Sequence, residues 1–540
     1  MHSLDIERLK EMSNFEVAAL FLENSEKNTM HNAPINVGRG DPNWINTRAR
    51  LAFNKLVEFG VEESAKKINE ADGDMAGYVD KAGIAQRLHA YLDASHKTDR
   101  FILAFLDYTE KHMGLNQDDL VHEFVDGAIG NHYPVPSRSL INVEKILNKY
   151  LEVSLYNGEK LANQTDVFPT EGGTAAMVYL FKELKISHIL RPGDTIAINT
   201  PIFTPYLQIP ELSEYKLKQF DVSSVEDDNW QMMDAKFEEL KDPTIKAFFV
   251  VNPTNPTSRA FSKHALAKIK EVVEANPEII IITDDVYGTF VNDFQTIYSI
   301  APRNTMLVYS YSKLYGATGH RLGLLAVHQD NVFDEIIAKR TAEEPAIKAA
   351  FEKRYSVVAP NPLAMKFIDR TVADSREIAL YHTAGLSTPQ QILMALFSLT
   401  SLIHEGEKDP YIEASKKMVD ARYNAFWESM GMECDHSKEN AEYYAVFNIY
   451  DFAERKYGHE FHDYFEKHVS YLDFEDKLAA KYGVVVMDGA GMGTDDGYLR
   501  ISLANQPAEN YAITGNRIAQ LLAEYYTQLL AEYYTQFQAH

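Results

Sequence analysis

The sequence has one cysteine, far fewer basic than acidic residues, and no long apolar run. Cys434 alone cannot form an internal disulfide framework, which suits a reducing compartment. The 53 Lys and Arg against 78 Asp and Glu give a formal net charge of −25. This balance argues against nucleic acid as a partner, because phosphate binding requires clustered basic side chains. Without a stretch of about 18 apolar residues or a signal peptide, we expect no membrane span and a cytoplasmic location.

The length and composition are those of a globular chain with more than one structural unit. At 540 residues, 45% of them hydrophobic and 24% charged, the chain exceeds what one hydrophobic core usually spans. Because the acidic field repels anions at a distance, any anionic ligand must be held by local arginines and backbone N–H groups.

Four parts can be distinguished along the chain. Residues 1–45 are predicted to be an irregular N-terminal arm, since glycines and a proline interrupt PINVGRGDPNW. Residues 46–125 place apolar residues three and four apart, which predicts a helical insertion. Residues 126–385 are predicted to form a large domain, with a charge-rich helical insertion near 331–385. Residues 386–540 are predicted to form a long helix and a small C-terminal domain of mixed helices and strands.

Four short apolar runs in the large domain predict strands: DTIAINTP, KAFFVVNP, EIIIITDD and TMLVYSYSK. They alternate with helical segments, which is typical of a mostly parallel sheet covered on both faces. Three of the runs end in residues of chemical interest, namely Asn252 and Asn255, Asp284, and Ser310 and Lys313. Ligands of open α/β sheets bind at the carboxyl ends of the strands, so this edge is the predicted active site.

The segment SYSKLYGATGHRLG combines a lysine at a strand end with groups suited to phosphate. Gly316 and Gly319 allow close backbone approach, Arg321 offers a bidentate fork, and Ser310 offers a hydroxyl three residues before Lys313. A loop with a solvated lysine is the alternative for an isolated S-x-x-K, but the complete string is more specific.

Two further segments add candidate ligand contacts. In PTEGGTAAMVYLF, Gly173 and Thr174 precede a helical run whose first N–H groups can hold an anion, although an ordinary helix cap is the alternative. In IIIITDDVYGTF, the Asp284 carboxylate could keep a pyridine nitrogen protonated, which makes a ring an electron sink. The alternative for Asp284 is an acidic turn that caps the next helix. Tyr287, three residues later, is a further candidate, as are Asn255 in NPTNPTS, whose alternative is turn formation, and Phe203 in NTPIFTPY, whose alternative is core packing.

These motifs occur in the order of the PLP-dependent fold type I aminotransferases, where PLP is pyridoxal 5′-phosphate. The chain resembles that family from PINVGRGDPNW to LRISLAN. The resemblance implies an α/β fold of type I, with Lys313 carrying PLP as a Schiff base. It also implies the remaining cofactor contacts, which are Asp284 at the pyridine nitrogen, Tyr287 and Asn255 at the phenolic oxygen, Phe203 on the ring, and Gly173, Thr174, Ser310 and Arg321 at the phosphate.

The same resemblance implies how substrate and a second subunit meet this site. Arg500 matches the arginine that clamps the α-carboxylate, and Tyr133 matches the tyrosine that reaches the cofactor phosphate of the neighbouring subunit. Tyr78 is the rival for that role, but it lies much farther along the chain from the phosphate motif. Arg39, next to Gly38 in the arm, is the candidate contact of the side-chain carboxylate, and a solvated surface arginine is the alternative.

Within the family, VGRGDPNW, DGAIGNHYPVPSR and the extra helices resemble the aspartate 4-decarboxylases. That resemblance implies conversion of L-aspartate to L-alanine and CO₂, side activity as an aspartate aminotransferase with 2-oxo acids, and no metal. It also implies a homo-oligomer of dimers with shared active sites, up to a dodecamer, and we expect the helices of 46–125 to join the dimers. One departure is Ser258, where the family usually has glycine.

Two alternatives to this function remain at this stage. One is a plain aspartate or aromatic amino acid aminotransferase, which would need a keto acid for turnover. The other is a non-enzymatic relative acting as a regulator or scaffold, which the complete set of lysine, aspartate, tyrosine and arginine argues against.

Overall fold

The structure is a computed structural model that describes residues 6–27, 34–68, 73–133, 138–212, 218–221, 226, 229–377, 379–381 and 385–538. The helices are α1 (Ile6–Glu11), α2 (Asn14–Glu26), α3 (Thr47–Ala65), α4 (Ile84–Tyr91), α5 (Lys97–Lys111), α6 (Gln117–Ile129), α7 (Ile141–Leu155), α8 (Gly173–Ile186), α9 (Thr204–Leu212), α10 (Asp234–Leu240), α11 (Lys263–Ala275), α12 (Ile297–Ile300), α13 (Val332–Glu343), α14 (Pro345–Tyr355), α15 (Phe367–Ser375), α16 (Thr388–Leu402), α17 (Pro410–Met430), α18 (Ile449–Tyr457), α19 (His459–His468), α20 (Tyr471–Tyr482) and α21 (Ala508–Gln538). The strands are β1 (Ile35–Asn36), β2 (Thr165–Glu171), β3 (Thr195–Ile198), β4 (Lys218–Asp221), β5 (Ile245–Val251), β6 (Ile280–Asp284), β7 (Thr305–Ser310), β8 (Leu322–His328), β9 (Tyr444–Asn448), β10 (Val484–Val485), β11 (Met487–Asp488) and β12 (Tyr498–Ser502).

A seven-stranded sheet forms the centre, in the order β2-β8-β7-β6-β5-β3-β4. The strands β7, β6, β5, β3 and β4 run parallel, and β8 runs antiparallel to both of its neighbours. The four apolar runs predicted as strands are β3, β5, β6 and β7, so that prediction is confirmed. Their residues are almost wholly buried, as expected when helices cover both faces.

Helices cover the sheet on both sides. The helices α7, α8 and α16 pack against β2, β7 and β8, and their apolar side chains join the main core. A second, smaller core lies beneath α10 and α11, where Phe237, Leu266 and Ile269 meet Phe248 and Ile281 of the sheet. The predicted α/β class with a mostly parallel sheet is therefore confirmed. The carboxyl ends of β5, β6 and β7 lie side by side, which brings the polar residues that follow them to one edge.

The segment predicted as a helical insertion contains α3, α4, α5 and α6. The helices α3 and α6 pack against each other and against α16, so they continue the core of the large domain. Apolar faces with three- and four-residue spacing, such as Phe101, Ile102 and Phe105 in α5, account for these helices.

The expectation of an irregular arm over residues 1–45 is wrong for its first half, where α1 and α2 are helical. The side chain of Ser13 caps α2 by accepting a hydrogen bond from the Glu16 N–H at 3.4 Å. Val17 and Phe21, one turn apart, are buried, and α2 packs on α20. The two-residue strand β1 then pairs with β10, and irregular chain follows from Val37 to Asn46.

The C-terminal part contains an antiparallel three-stranded sheet in the order β11-β12-β9. A short 3₁₀ helix, Ala490–Met492, precedes β12. Both copies of the LLAEYYTQ tandem lie within α21. Among the described residues, no helix combines the length and the apolar character needed to cross a membrane.

Candidate active site

A cavity of about 350 Å³ opens at the carboxyl ends of β5, β6 and β7. The sequence-predicted residues that line it are Arg39, Gly173, Thr174, Phe203, Asn255, Asp284, Tyr287, Ser310, Lys313, Arg321 and Arg500. Gly38 does not line the cavity itself, but its carbonyl accepts a hydrogen bond from Arg500, which does. The strand order therefore assembles residues that lie hundreds of positions apart in the sequence.

Lys313 follows β7 and points its amine at the N-terminal segment. Its Nζ donates a hydrogen bond of 3.0 Å to the carbonyl oxygen of Gly40. The hydroxyl of Tyr443 donates to the same oxygen, also at 3.0 Å. The irregular chain around Gly40 thus forms one wall of the cavity and holds the lysine amine inside it.

Asp284 ends β6 and is buried, with 5% of its surface exposed. Its carboxylate accepts hydrogen bonds from the Tyr206 hydroxyl at 2.5 Å and from the Val286 N–H at 3.2 Å. Burial raises the pKa of Asp284 to about 6, although these donors and the charge of Lys313 lower it. A buried carboxylate of this kind gains most from a cationic N–H partner, which a protonated pyridine nitrogen would supply.

An anion-binding corner forms where α8 begins. Gly172 has a φ of +91°, which turns the chain so that the N-terminus of α8 faces the cavity. The guanidinium of Arg321 lies against Gly172, where a Cβ would displace it. Ser310 lines the same cavity, and its hydroxyl donates to the Ser312 hydroxyl at 2.9 Å. Helix N–H groups, a guanidinium and a hydroxyl together are typical of a phosphate site.

Arg500, on β12, is 2% exposed and faces the cavity from the C-terminal sheet. Its Nη1 donates to Oδ1 of Asn255 at 3.0 Å, and its Nη2 donates to the carbonyl oxygen of Gly38. In the described part of the chain, its Nε has no hydrogen-bond partner. A buried guanidinium without a carboxylate partner is suited to binding an anionic ligand.

Tyr287 lines the cavity together with Tyr444. Its hydroxyl is 2.8 Å from the hydroxyl of Tyr444, which begins β9. Burial raises the pKa of Tyr287 well above its ordinary value, so the hydroxyl keeps its proton. Ser258 has a φ of +60°, which explains why glycine is usual at this position, and its hydroxyl accepts a hydrogen bond of 2.7 Å from the Tyr444 N–H.

The mouth of the cavity carries Arg39 and an aromatic group. The Arg39 side chain is 72% exposed, with its Nε 3.3 Å from Oδ1 of Asp41. The Phe203 ring packs edge to face with Phe15 at 6.0 Å and with Tyr206 at 5.3 Å. Phe15 belongs to α2, so this helix also lines the cavity.

Tyr133 does not reach this cavity within one chain. Its side chain is 81% exposed and lines a separate surface depression with Lys81 and His132. The rival residue Tyr78 is also exposed, and its ring lies 4.9 Å from that of His132. Both tyrosines therefore lie on one surface, and the role of Tyr133 in a neighbouring subunit stays a prediction.

Two functional candidates escaped the sequence analysis, Tyr206 and Tyr444. Tyr206 follows Phe203 by three residues, which places Phe203 directly before α9 and Tyr206 in its first turn, and this spacing is a usable signal. Tyr444 comes from β9, and only the register of β9 with β12 places it beside Arg500. Nothing in the string AEYYAVF distinguishes Tyr444 from its neighbour Tyr443.

Comparison with known proteins identifies the family. The sequence model of the aminotransferases of class I and II matches residues 131–518. The chain belongs to this family. An aminotransferase of this class uses PLP, and the cavity has groups that could hold it, with Lys313 for the aldehyde, Asp284 for the ring nitrogen and the α8 corner with Arg321 for the phosphate.

A bifunctional relative matches most of this chain. It is the bifunctional aspartate aminotransferase and L-aspartate beta-decarboxylase of a Pseudomonas species, 40% identical over 496 residues, which are 91% of this chain and 92% of that protein. A probable aspartate/prephenate aminotransferase of Rhizobium leguminosarum is 30% identical over 162 residues, 28% of this chain and 39% of that protein.

Solved structures confirm the type I aminotransferase fold. A double mutant of the Thermus thermophilus aspartate aminotransferase matches with a TM-score of 0.60 and 15% identity, covering 96% of this chain and all of the other. The Pyrococcus furiosus alanine aminotransferase matches with a TM-score of 0.61 and 17% identity, covering 96% and 98%. At these identities the likeness concerns the fold.

Proposed function

We propose that this protein is a PLP-dependent aspartate 4-decarboxylase, which converts L-aspartate to L-alanine and CO₂ and has aspartate aminotransferase side activity. The observation that carries the proposal is the convergence of Lys313, Asp284, Arg321 and Arg500 on one cavity. The Pseudomonas relative, matched along nine-tenths of the chain, supports aspartate as the substrate and loss of the β-carboxyl group as the reaction.

The residues that line the cavity are suited to the contacts that the cofactor would need within one chain. When bound, PLP supplies a protonated ring that withdraws electrons from the amino acid attached to it. Lys313 would offer its Nζ as the attachment point, and the same amine, once freed by substrate, would be the base that takes the Cα proton. Asp284 would keep the ring nitrogen protonated, and Tyr287 and Asn255 would donate to the phenolic oxygen. The ring of Phe203 would pack on the cofactor face, and the phosphate would be held by Gly173, Thr174, Ser310 and Arg321, all of which line the cavity.

Substrate orientation follows from the two arginines. Arg500 binds the α-carboxylate, because its guanidinium is buried and already held in place by Asn255 and Gly38. Arg39 is mostly exposed at the mouth and offers the side-chain carboxylate a weaker contact. A carboxylate that is not tightly paired loses CO₂ more easily, because strong pairing would stabilise its charged ground state.

We further propose a homo-oligomer built from dimers, in which Tyr133 of one subunit contacts the phosphate bound by another. The exposure of Tyr133 and Tyr78 on one surface supports this arrangement. The helices α3 to α6 are proposed to join dimers into the larger assembly. In this proposal residues 126–385 form the cofactor domain and residues 386–540 the linking helix and small domain, and the lone cysteine suits a cytoplasmic enzyme.

Product analysis tests the proposed reaction. The PLP-loaded protein is incubated with L-aspartate, with and without a 2-oxo acid, and alanine and CO₂ are quantified. Decarboxylation predicts stoichiometric alanine and CO₂ without any amino acceptor. Turnover that requires the 2-oxo acid and releases no CO₂ would replace the proposal with plain aspartate transamination.

A further inference from the structure

Tyr444 makes contacts on the cofactor-facing and the substrate-facing sides of the cavity. Its hydroxyl lies 2.8 Å from that of Tyr287, and its ring face lies 4.6 Å from Cζ of Arg500. A Cβ placed on Gly40 would overlap the Tyr444 hydroxyl and lie 3.5 Å from Nζ of Lys313. The hydroxyl is therefore next to the wall that holds the lysine amine.

The backbone fixes Tyr444 in this position. Its N–H donates to the Ser258 hydroxyl at 2.7 Å, and it pairs with Ser502 at the end of the β9–β12 ladder. Arg500 lies opposite Val446, two residues along β9, so Tyr444 and Arg500 project from the same face of this sheet. Tyr444 is 2% exposed, so it cannot swing away from the cavity without opening the sheet.

We propose that Tyr444 is a positioning residue with two separable parts, a hydroxyl that strengthens the donor Tyr287 and a ring that orients Arg500. This inference rests on the proposed function. In the proposed function the Tyr287 hydroxyl donates a hydrogen bond to the phenolic oxygen of the cofactor, and its own oxygen can accept another. The Tyr444 hydroxyl then donates to Tyr287, and hydrogen bonds in such a chain strengthen one another.

The ring part acts on the substrate side. The face of a tyrosine ring attracts a guanidinium and keeps it flat against the ring, and the effect is larger in a buried site. Arg500 receives this contact in addition to its bonds with Asn255 and Gly38, so the fork is held toward the α-carboxylate. Removing the ring should therefore weaken substrate binding without weakening the cofactor contacts.

The hydroxyl part can be tested from the visible absorption of the PLP-loaded protein across a pH series. A stronger donor stabilises the negative phenolic oxygen and so lowers the pH at which the cofactor-linked nitrogen loses its proton. Among the described residues, the charged and titratable side chains that contact Tyr444 are Tyr287, Tyr443 and Arg500, and the Lys313 amine lies on the other side of Gly40. Tyr444→Phe should raise the midpoint by about 0.5 to 1 pH unit, the worth of one hydrogen bond.

A matched control and a double variant separate this effect from a loss of stability. Tyr450→Phe removes another buried tyrosine hydroxyl of the same C-terminal part, one that donates to the Val469 carbonyl at 3.1 Å, and should leave the midpoint unchanged. Tyr287→Phe should raise the midpoint, and Tyr287→Phe/Tyr444→Phe should raise it no further. An unchanged midpoint in Tyr444→Phe, or a shift that persists in the Tyr287→Phe background, would overturn the proposal for the hydroxyl.

The ring part is tested with Tyr444→Leu. Its KM for L-aspartate should rise about 3- to 10-fold above that of Tyr444→Phe, with PLP affinity unchanged between the two. Equal KM values for the two variants would contradict a role for the ring. A wild-type protein that takes up no PLP would overturn the proposed function itself. If the wild-type enzyme turns over aspartate and the Tyr444 variants do not differ from it, only this inference is overturned.

Discussion

The hydroxyl of Tyr206 donates a hydrogen bond of 2.5 Å to Oδ2 of Asp284, and both side chains are buried. This donor compensates only part of the cost of burying the carboxylate, since the pKa of Asp284 is still raised to about 6. The protein therefore holds a carboxylate whose charge is incompletely stabilised until a cationic partner arrives. That is a functional arrangement maintained at the expense of stability.

Asp284→Asn should make the cofactor-free protein more stable at neutral pH. The folded state binds the proton with a pKa near 6 and the unfolded state with one near 3.8, so the stabilisation from this group is complete below pH 3.8 and lost as pH rises through 6. Two pKa units correspond to about 3 kcal/mol, which the variant should recover at pH 7. Urea unfolding of both apoproteins between pH 4 and 8 measures this difference, and parallel stability curves would contradict it.

Asp285→Asn is the matched control for the effect of Asp284→Asn on cofactor binding. Burial raises the pKa of Asp285 to about 8, so this group is neutral at pH 7 and the asparagine replaces an uncharged carboxyl. The variant should bind PLP like the wild type, whereas Asp284→Asn should bind it more weakly and lose most of its activity. Equal loss of PLP affinity in both variants would show that general damage to β6 is responsible.

Gly323→Ala should weaken PLP binding through the phosphate corner. A Cβ at Gly323 would overlap the carbonyl carbon of Gly172 and so displace the turn that leads into α8. We expect the dissociation constant of PLP to rise at least about 10-fold, because a shift in the turn misaligns several phosphate contacts at once. Gly319→Ala is the control, because Gly319 lies in the 3₁₀ turn before β8 and a Cβ there would meet no atom of the described residues within 4 Å. PLP titration followed by absorbance is the measurement.

Arg500→Lys should impair aspartate binding while leaving cofactor binding intact. Lysine keeps the positive charge but loses the bidentate fork and leaves Asn255 or Gly38 without its donor. We expect kcat/KM to fall by about 10²- to 10³-fold, mainly through KM. A variant with unchanged KM for aspartate would assign the α-carboxylate to another residue.

Arg39→Ala should change substrate handling without changing stability. The side chain is 72% exposed, so its loss should alter the free energy of unfolding by less than about 0.5 kcal/mol. If Arg39 contacts the side-chain carboxylate, KM for aspartate should rise and the ratio of CO₂ to transferred amino groups should change. Arg303→Ala, which removes another surface arginine paired with Asp330, should alter neither quantity.

The sheet and its active edge could be predicted because each strand carries its own signal. Apolar runs such as those of β5 and β6 end in Asn252, Asn255 or Asp284, and parallel strands bring such ends together. The structure brings Lys313 and Asp284 into one cavity as the sequence predicted.

The parts that could not be predicted depend on packing between distant segments. Glycines and a proline predict irregular chain only after residue 37, whereas Val17 and Phe21 of α2 have helical spacing and are buried. Tyr444 was missed because its position beside Arg500 depends on the register of β9 and β12. The proposed contact of Tyr133 with a neighbouring subunit depends on the position of a second chain, which the sequence does not specify.

Chemical labelling of the lysine tests the central claim most directly. Borohydride treatment of the PLP-loaded protein fixes the bond between the cofactor and its lysine, and peptide mapping then locates the modified residue. The account predicts a single labelled peptide containing SYSKLYG, with the cofactor on Lys313. A label on another lysine, or no label at all, would contradict it.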